Sequence, residues 1–191
     1  CFLEPAIVTP KLGKSAGVAI ATLRHIGHSA PALLPSSSRV AGRIQLRHVH
    51  GLLPGGILCC TVYLPQRRGA EGTGQHLECI LSLGRFLAKW GRPFIIGGGW
   101  NATPEDVAAS GAPGRLCATL VYPNRHTCDA RTGRGATQRC IDYFMISDAL
   151  LPLTRDVSVL YLESNPRLGV ALTIACYKEL RPVRVPCGPR V

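Results

Sequence analysis

The sequence predicts one domain of the α+β or mixed α/β class, built as a sandwich of sheet and helix. Its 191 residues are about one domain's length. Hydrophobic residues make up 46% of the chain and charged residues 17%, which is enough apolar material for a core and excludes a disordered tail. The predicted elements run strand, strand, strand, helix, strand, glycine-rich turn, arginine-rich loop and further strands, with no internal repeat.

The first half contains three predicted strands. Residues 17–23 form a short apolar, β-branched run bounded by charge, which is typical of a core strand. Residues 28–38, with two prolines and four serines, predict a surface connection. Residues 43–49 alternate strictly, which predicts a half-buried strand near a sheet edge. The turn at 54–56 then joins it to an apolar strand at 57–63 in an antiparallel hairpin.

A loop of small residues at 69–74 is expected to precede the main helix. That helix ends at Gly91 and is indicated by the spacing of Leu77, Ile80, Leu81, Gly84, Leu87 and Ala88. A buried strand at 94–96 then runs into three glycines. Thr103, Pro104 and two acidic residues after them predict a second helix start, with a capping hydroxyl and acids facing the helix dipole.

The second half is expected to be irregular and arginine-rich from 111 to 139. Strands are predicted at 141–146, 157–162 and 170–176. We therefore expect one domain over residues 1–176, followed by a tail rich in proline and arginine at 177–191.

The charge is strongly positive. The chain carries 22 Lys+Arg against 11 Asp+Glu, a formal net charge of +11. No acid lies between Glu4 and Glu71, where eight basic residues accumulate. This balance makes DNA or RNA a candidate partner. The excess of 18 Arg over 4 Lys leaves open a compositional bias that needs no ligand.

The nine cysteines include no Cys-x-x-Cys pair, and several lie in apolar runs. They predict buried thiols in a reducing, intracellular compartment, which the sequence does not identify further. No charge-free stretch reaches membrane-spanning length and the start does not match a signal peptide, so neither a membrane nor a defined protein partner is predicted. The first residue is Cys1 and the one methionine is Met145, which suggests a fragment.

Four blocks in order resemble one family. They are Gly17-Val18-Ala19-Ile20, Val62-Tyr63-Leu64-Pro65, the segment 93–105 with Gly97-Gly98-Gly99-Trp100-Asn101, and Ile141-Asp142-Tyr143-Phe144-Met145-Ile146-Ser147. Their order and spacing, over about residues 17–173, resemble the endonuclease/exonuclease/phosphatase superfamily, and its retroelement and apurinic-site endonuclease branch in particular.

The resemblance implies a four-layer fold, in which two packed mixed β-sheets lie between helices. It also implies Mg²⁺-dependent hydrolysis of phosphodiesters or phosphomonoesters. Tyr63 matches a tyrosine that donates to the scissile phosphate. Asn101 matches the asparagine of a Gly-Asp-x-Asn motif, and Asp142 an aspartate that orients the catalytic histidine. Tyr63 as a core aromatic and Asn101 as a turn residue remain open readings, whereas Tyr143 and Phe144 are expected in the core.

Three departures from the family pattern set the expected function. Gly99 replaces the aspartate of Gly-Asp-x-Asn, and Arg167 stands where the family has its histidine. The family's metal-binding glutamate belongs to an early strand, and we expect the first strand or strands to be missing. Glu4 is the one carboxylate in that region, expected as a solvated residue near a frayed end. We therefore predict no metal site and no cofactor, with Mg²⁺ needed only if activity remains.

The sequence thus predicts a degenerate domain of this family with phosphodiesterase activity lost and nucleic-acid or phosphate binding retained. Six arginines are expected to flank the mouth of the sandwich, where the family's site residues meet, and to bind phosphates there. They are Arg115, Arg125, Arg131, Arg134, Arg139 and Arg167. Two alternatives stay open: an active Mg²⁺-dependent endonuclease whose missing residues lie upstream, and a decayed fragment without function.

Overall fold

The computed structural model describes residues 2–4, 7–8, 14–15, 18–31, 42–66, 69–132, 135–161 and 168–175. The strands are β1 (Phe2–Glu4), β2 (Ile7–Val8), β3 (Lys14–Ser15), β4 (Val18–Ile20), β5 (His28–Ser29), β6 (Ile44–Val49), β7 (Ile57–Tyr63), β8 (Phe94–Gly99), β9 (Ala118–Val121), β10 (Cys128–Thr132), β11 (Gly135–Arg139), β12 (Asp142–Ser147), β13 (Thr154–Leu160) and β14 (Gly169–Ile174). The helices are α1 (Gly69–Trp90), α2 (Pro104–Ala109) and α3 (Ala112–Arg115), with a 3₁₀ helix at Asp148–Leu153.

A six-stranded mixed sheet forms the centre of the domain, in the order β5-β6-β7-β8-β12-β9. The β7–β8 pair is parallel and the others are antiparallel. A parallel pair needs a crossover connection, and the long helix α1 supplies it between β7 and β8. The predicted hairpin of β6 and β7 is confirmed, since Ile44 pairs with Val62 and Val49 with Ile57.

The two faces of this sheet bury different clusters. Leu58 and Val62 of β7 lie in the larger cluster, together with Leu83 and Leu87 of α1. Ile57 faces the other way and packs in a second cluster with Ile146, Leu150 and, from β14, Leu172. Because side chains alternate along a strand, odd-numbered residues of β7 share the face of Ile57. Tyr63 therefore lies on the face turned away from α1.

Smaller two-stranded sheets complete the fold. The pairs are β1 with β4, β2 with β3, β10 with β11 and β13 with β14. Strand β14 lies close to β12, and β4 lies close to β6 and β7. The mixed α/β class predicted from the sequence is confirmed, with a large mixed sheet, smaller sheets and helices. In the described parts of the chain, no helix is both long and apolar enough to cross a membrane.

Three local expectations were wrong. Residues 69–74 begin helix α1 instead of forming a loop. The stretch 111–139, expected to be irregular, contains α3, β9 and the β10–β11 hairpin. Residues 2–4, expected to be frayed, form β1, in which Glu4 pairs with Val18 and Phe2 with Ile20 of β4. A strand thus precedes the Gly17 block and pairs with it.

Two of the three consecutive glycines in β8 are required by close contacts. A Cβ atom on Gly97 would lie 2.6 Å from the Phe144 ring. Gly98 has φ +139°, and a Cβ atom there would collide with the backbone carbonyl oxygen of Val62. The glycines at positions 97 and 98 are therefore explained by the tight packing of β8 against its neighbours.

Candidate functional site

Three adjacent strands of the main sheet bring the matched residues together at one end, which we call the mouth. Strands β7 and β8 end there and β12 begins there. Gly99 is the direct partner of Tyr63 in the parallel pair and of Asp142 in the antiparallel pair. Directly opposed residues project their side chains from the same face. Tyr63 and Asp142 therefore flank Gly99, where no side chain projects.

Asn101 lies just beyond this row and is fixed by a strained turn. Its φ of 50° is in the left-handed region, which asparagine tolerates better than most residues. The Asn101 Nδ2 group donates to the Leu64 carbonyl oxygen at 2.6 Å, while the Leu64 N–H donates to the Gly99 carbonyl at 2.8 Å. Thr103 then caps α2 in a capping box with Asp106. The amide of Asn101 thus links the ends of β7 and β8.

Thr127 organises the backbone and the carboxylate at Asp142. Its hydroxyl accepts hydrogen bonds from the Ile141 and Asp142 N–H groups, both at 3.0 Å, and donates to Asp142 Oδ2 at 3.3 Å. The Thr127 side chain is fully buried, with no exposed surface. One hydroxyl offers one donor and two acceptor sites, so its capacity is fully used.

Thr127 also connects the mouth to the C-terminal strands. The Leu168 N–H donates to the Thr127 carbonyl oxygen at 2.9 Å. Thr127 could not be predicted from the sequence, because a lone threonine in an arginine-rich stretch gives no periodic or motif signal.

Two stacked aromatic side chains pack beside the turn that contains Asn101. Trp100 and Tyr143 stack with ring centroids 5.3 Å apart, and Trp100 Nε1 donates to the Tyr143 carbonyl oxygen at 3.0 Å. The Tyr143 hydroxyl donates to the Ala102 carbonyl at 3.2 Å. Burial raises the pKa of Tyr143 well above its ordinary value, so the phenol remains a hydrogen-bond donor.

His76 supports the same turn from helix α1. Its Nε2 atom donates to the Trp100 carbonyl oxygen at 3.0 Å, and the side chain is buried. The bond joins α1 to the residue before Asn101. His76 could not be predicted from the sequence, because it lies inside a helical pattern whose other signals are apolar.

The predicted arginines fall in different places. Arg139 lies near the mouth, since its carbonyl oxygen accepts from the Thr127 N–H at 3.0 Å. Arg125 is two residues before Thr127 and donates from Nη1 to the Tyr161 hydroxyl at 3.1 Å. Both side chains are exposed. Arg131 belongs to β10, where its backbone pairs with Ala136.

Arg115 lies at the other end of the sheet. It borders a cavity of about 400 Å³ together with Phe94, the first residue of β8, and Ser147, the last residue of β12. Six residues of β8 separate that end from the mouth by roughly 16 to 20 Å at 3.3 Å per residue. The structure therefore does not bring Arg115 to the mouth. Arg134 and Arg167 lie outside the described residues, as does the contact that Arg167 was expected to make with Asp142.

The described side chains at the mouth do not fit a Mg²⁺ site. Mg²⁺ is usually held by carboxylates that leave room for several waters. Asp142 is the one carboxylate among Tyr63, Gly99, Asn101 and Asp142, and it already accepts a hydrogen bond from Thr127. Among the described residues, no group of three His, Cys, Asp or Glu side chains is placed to hold a metal ion.

Five cysteines of the domain are sheltered from solvent. Cys60, Cys79 and Cys128 are buried and free of disulfides, and Cys59 and Cys140 are half-buried. Burial raises the pKa of Cys59, Cys79 and Cys140 to about 11 in each case, and that of Cys60 further. The thiols of Cys59, Cys60, Cys79 and Cys140 therefore remain protonated at neutral pH, as expected of small apolar core residues.

The fold defines the class of protein to which this chain is structurally similar. Three solved structures match over most of its length. The endonuclease domain of TRAS1, a telomere-specific non-LTR retrotransposon, has a TM-score of 0.66 and 16% identity, covering 90% of this chain and 78% of that one. The 3′ phosphatase NExo from Neisseria, bound to product DNA hairpin, has a TM-score of 0.58 and 16% identity, covering 83% and 74%.

The AP endonuclease LMAP from Leishmania major gives a TM-score of 0.60 and 13% identity, covering 79% of this chain and 62% of that one. No protein-family model matches the chain, and the search of curated proteins finds no significant match. The chain therefore has the fold of the endonuclease/exonuclease/phosphatase superfamily. The resemblance seen in the sequence is confirmed at the level of the fold.

Proposed function

We propose that this chain binds nucleic acid at the mouth and has lost the family's hydrolytic activity. One observation carries the loss: Gly99 lies in register between Tyr63 and Asp142, where a side chain would project beside both. The resemblance places at this position the aspartate that orients the attacking water. Removing one group that acts in the transition state typically costs a factor of about 10²–10³ in rate. The replacement of the histidine by Arg167 adds to the loss, because a guanidinium does not exchange protons near neutral pH.

Retained binding is supported by charge and by the similar structures. Arg125 and Arg139 are exposed near Thr127 at the mouth, and the chain carries a net charge of +11. One similar structure, the 3′ phosphatase NExo, is bound to a DNA hairpin. A phosphate backbone would contact the arginines without requiring the missing carboxylate.

A filter-binding titration tests the binding. Single- and double-stranded DNA and RNA are titrated without divalent metal at several salt concentrations. We expect binding that weakens steeply with salt, and Arg125→Ala/Arg139→Ala should lower the slope of log K against log salt by about 2. Arg115→Ala is the control, since Arg115 lies at the far end of β8 and should leave the slope unchanged. A flat titration of the wild-type chain would exclude the proposal.

A second candidate function is favoured by Glu4. Strand β1 places Glu4 on an early strand that pairs with the Gly17 block through Val18. This is the setting in which the resemblance puts the family's metal-binding glutamate. The alternative is therefore a Mg²⁺-dependent phosphodiesterase that uses Glu4, and a cleavage assay separates the two.

A further inference from the structure

A cavity of about 370 Å³ lies at the end of the domain opposite the mouth. It is bordered by the C-terminal turn of α1, the end of β6 and the segment after β5, with Ser29, Ala30, Pro31, His48, Phe86, Lys89, Trp90 and Arg92 around it. His48 is next to Val49, which pairs with Ile57 at the start of β7, whereas Tyr63 ends that strand at the mouth. Seven residues of β7 separate the two sites by about 20 Å.

The cavity carries positive charge. Lys89 and Arg92 are both exposed on its border, and none of its bordering residues is Asp or Glu. The C-terminus of α1 contributes about half a negative charge, which two full positive charges outweigh. An anionic group is therefore the ligand chemistry that this border favours.

The guanidinium of Arg92 is held in place before any ligand binds. Its Cζ atom lies 5.8 Å from the centre of the Trp90 ring, and its Nη1 atom donates to the Gly55 carbonyl oxygen at 3.4 Å. His48 Nε2 donates to the same carbonyl at 2.8 Å. Holding a cation in a fixed geometry reduces the entropy lost on binding. Arg92 still has other N–H donors for an anion.

Aromatic side chains form a further wall of the cavity, next to Arg92. Phe86 and Trp90, one turn apart on α1, stack with centroids 6.1 Å apart, and the His48 ring meets Trp90 edge-on at 5.1 Å. The Trp90 Nε1 atom is enclosed and has no hydrogen-bond partner. The volume exceeds that of a bare phosphate and lies in the range of small-molecule sites.

We propose that this cavity binds a nucleotide phosphate monoester, with the phosphate on Lys89 and Arg92 and the base and sugar against the Phe86–Trp90 wall. The ligand is either a free mononucleotide or the phosphorylated end of a nucleic-acid strand, which present the same chemistry. This site is separate from the mouth, so the test of this proposal does not depend on the proposed function.

Tryptophan fluorescence of the full chain tests the site. The chain has two tryptophans, and Trp100 is buried against Tyr143 near the mouth, so Trp90 is the local reporter. Titration with AMP at low salt should change the emission saturably, while adenosine should bind at least about tenfold more weakly because it lacks the charge. Trp90→Phe should abolish the response.

Variants and strand ends complete the test. Lys89→Ala/Arg92→Ala should weaken AMP at least about tenfold, whereas Arg85→Ala, an exposed cation one turn earlier on α1, should not. If a 5′-phosphorylated oligonucleotide competes with AMP and its 5′-hydroxyl form does not, the ligand is a phosphorylated strand end. If AMP binds but neither oligonucleotide competes, the ligand is a free nucleotide. No response to AMP, equal affinity for adenosine, or full affinity in the double variant would overturn the proposal.

Discussion

The hydroxyl of Thr127 and the carboxylate and N–H of Asp142 form a closed pair of hydrogen bonds at the mouth. The Asp142 N–H donates to Thr127 Oγ1 at 3.0 Å, and Thr127 Oγ1 donates back to Asp142 Oδ2 at 3.3 Å. The same oxygen also accepts from the Ile141 N–H at 3.0 Å. The buried Thr127 side chain, fifteen residues earlier in the chain, thus helps to hold Asp142 in position.

Thr127→Val should destabilise the domain by about 2 to 3 kcal/mol, because it leaves two buried N–H groups without a partner at nearly constant volume. Thermal unfolding followed by circular dichroism measures the loss. Thr119→Val is the control, since the Thr119 hydroxyl donates to Asp148 in an exposed setting and should cost less than about 1 kcal/mol. Equal melting temperatures for the two variants would contradict the assigned role of Thr127.

Two glycines should respond in opposite directions to alanine. Gly98→Ala should cost about 4 kcal/mol or more or prevent folding, since φ is +139° and the new Cβ atom meets the Val62 carbonyl. Gly74→Ala should stabilise the chain by up to about 1 kcal/mol, because Gly74 is inside α1 with open space around it. Soluble yield and urea unfolding report both. A Gly98→Ala chain as stable as the wild type would show that β8 does not pack as described.

Asn101 allows its backbone and side-chain roles to be separated. Asn101→Gly keeps the left-handed conformation and loses the side-chain contacts, among them the bond to the Leu64 carbonyl, at a cost of about 1 kcal/mol. Asn101→Ala loses the bond and must also adopt φ 50°, so it should cost about 1 kcal/mol more. Urea denaturation gives both values. If the alanine and glycine variants had equal free energies of unfolding, the left-handed conformation at this position would carry no cost for alanine, which would contradict this account.

The cysteines should differ in alkylation by exposure and pKa. Cys117 is exposed, whereas burial raises the pKa of Cys59, Cys79 and Cys140 to about 11. At pH 8 iodoacetamide should label Cys117 first among these four, as mass spectrometry of peptides would show. In denaturant all four should react at similar rates. Fast labelling of Cys140 in the folded chain would contradict its assignment to a protonated, sheltered thiol.

The same shifts predict how stability changes with pH. An acid group whose pKa is raised by folding keeps its proton in the folded state after the unfolded chain has lost it. The stability linked to these thiols is then fully present below about pH 9, the ordinary value, and is lost between pH 9 and about 11. Melting temperatures measured from pH 7 to 10 should fall at the upper end. A melting temperature that rises between pH 9 and 10 would contradict the raised pKa values of these thiols.

Much of the fold could be predicted because its periodicity is local. The alternation of Ile44–Val49, the apolar run of Ile57–Tyr63 and the helical spacing after Leu77 each indicate one element. The β10–β11 hairpin could not be predicted, because segments such as Gly135–Arg139 contain few apolar residues and no alternation. Its pairing depends on backbone hydrogen bonds that leave no pattern in the sequence.

The candidate site was predicted unevenly for a related reason. Motif spacing brought Tyr63, Gly99 and Asp142 to one strand end, and the register agrees. Thr127 and His76 act through hydrogen bonds to backbone or carboxylate atoms, which carry no sequence signature. Arg115 was expected at the mouth from its closeness to other arginines in the sequence, but α2 and α3 carry the chain to the opposite end of β8 before β9 returns.

A plasmid-nicking assay in Mg²⁺ tests the central claim most directly. Purified chain is incubated with supercoiled DNA at low salt, and each sample is divided between a native gel, which reports binding, and a deproteinised gel, which reports cleavage. We predict retarded DNA that is nicked no faster than in EDTA. Mg²⁺-dependent nicking by the wild-type chain that Glu4→Gln abolishes would contradict the account and establish the phosphodiesterase alternative.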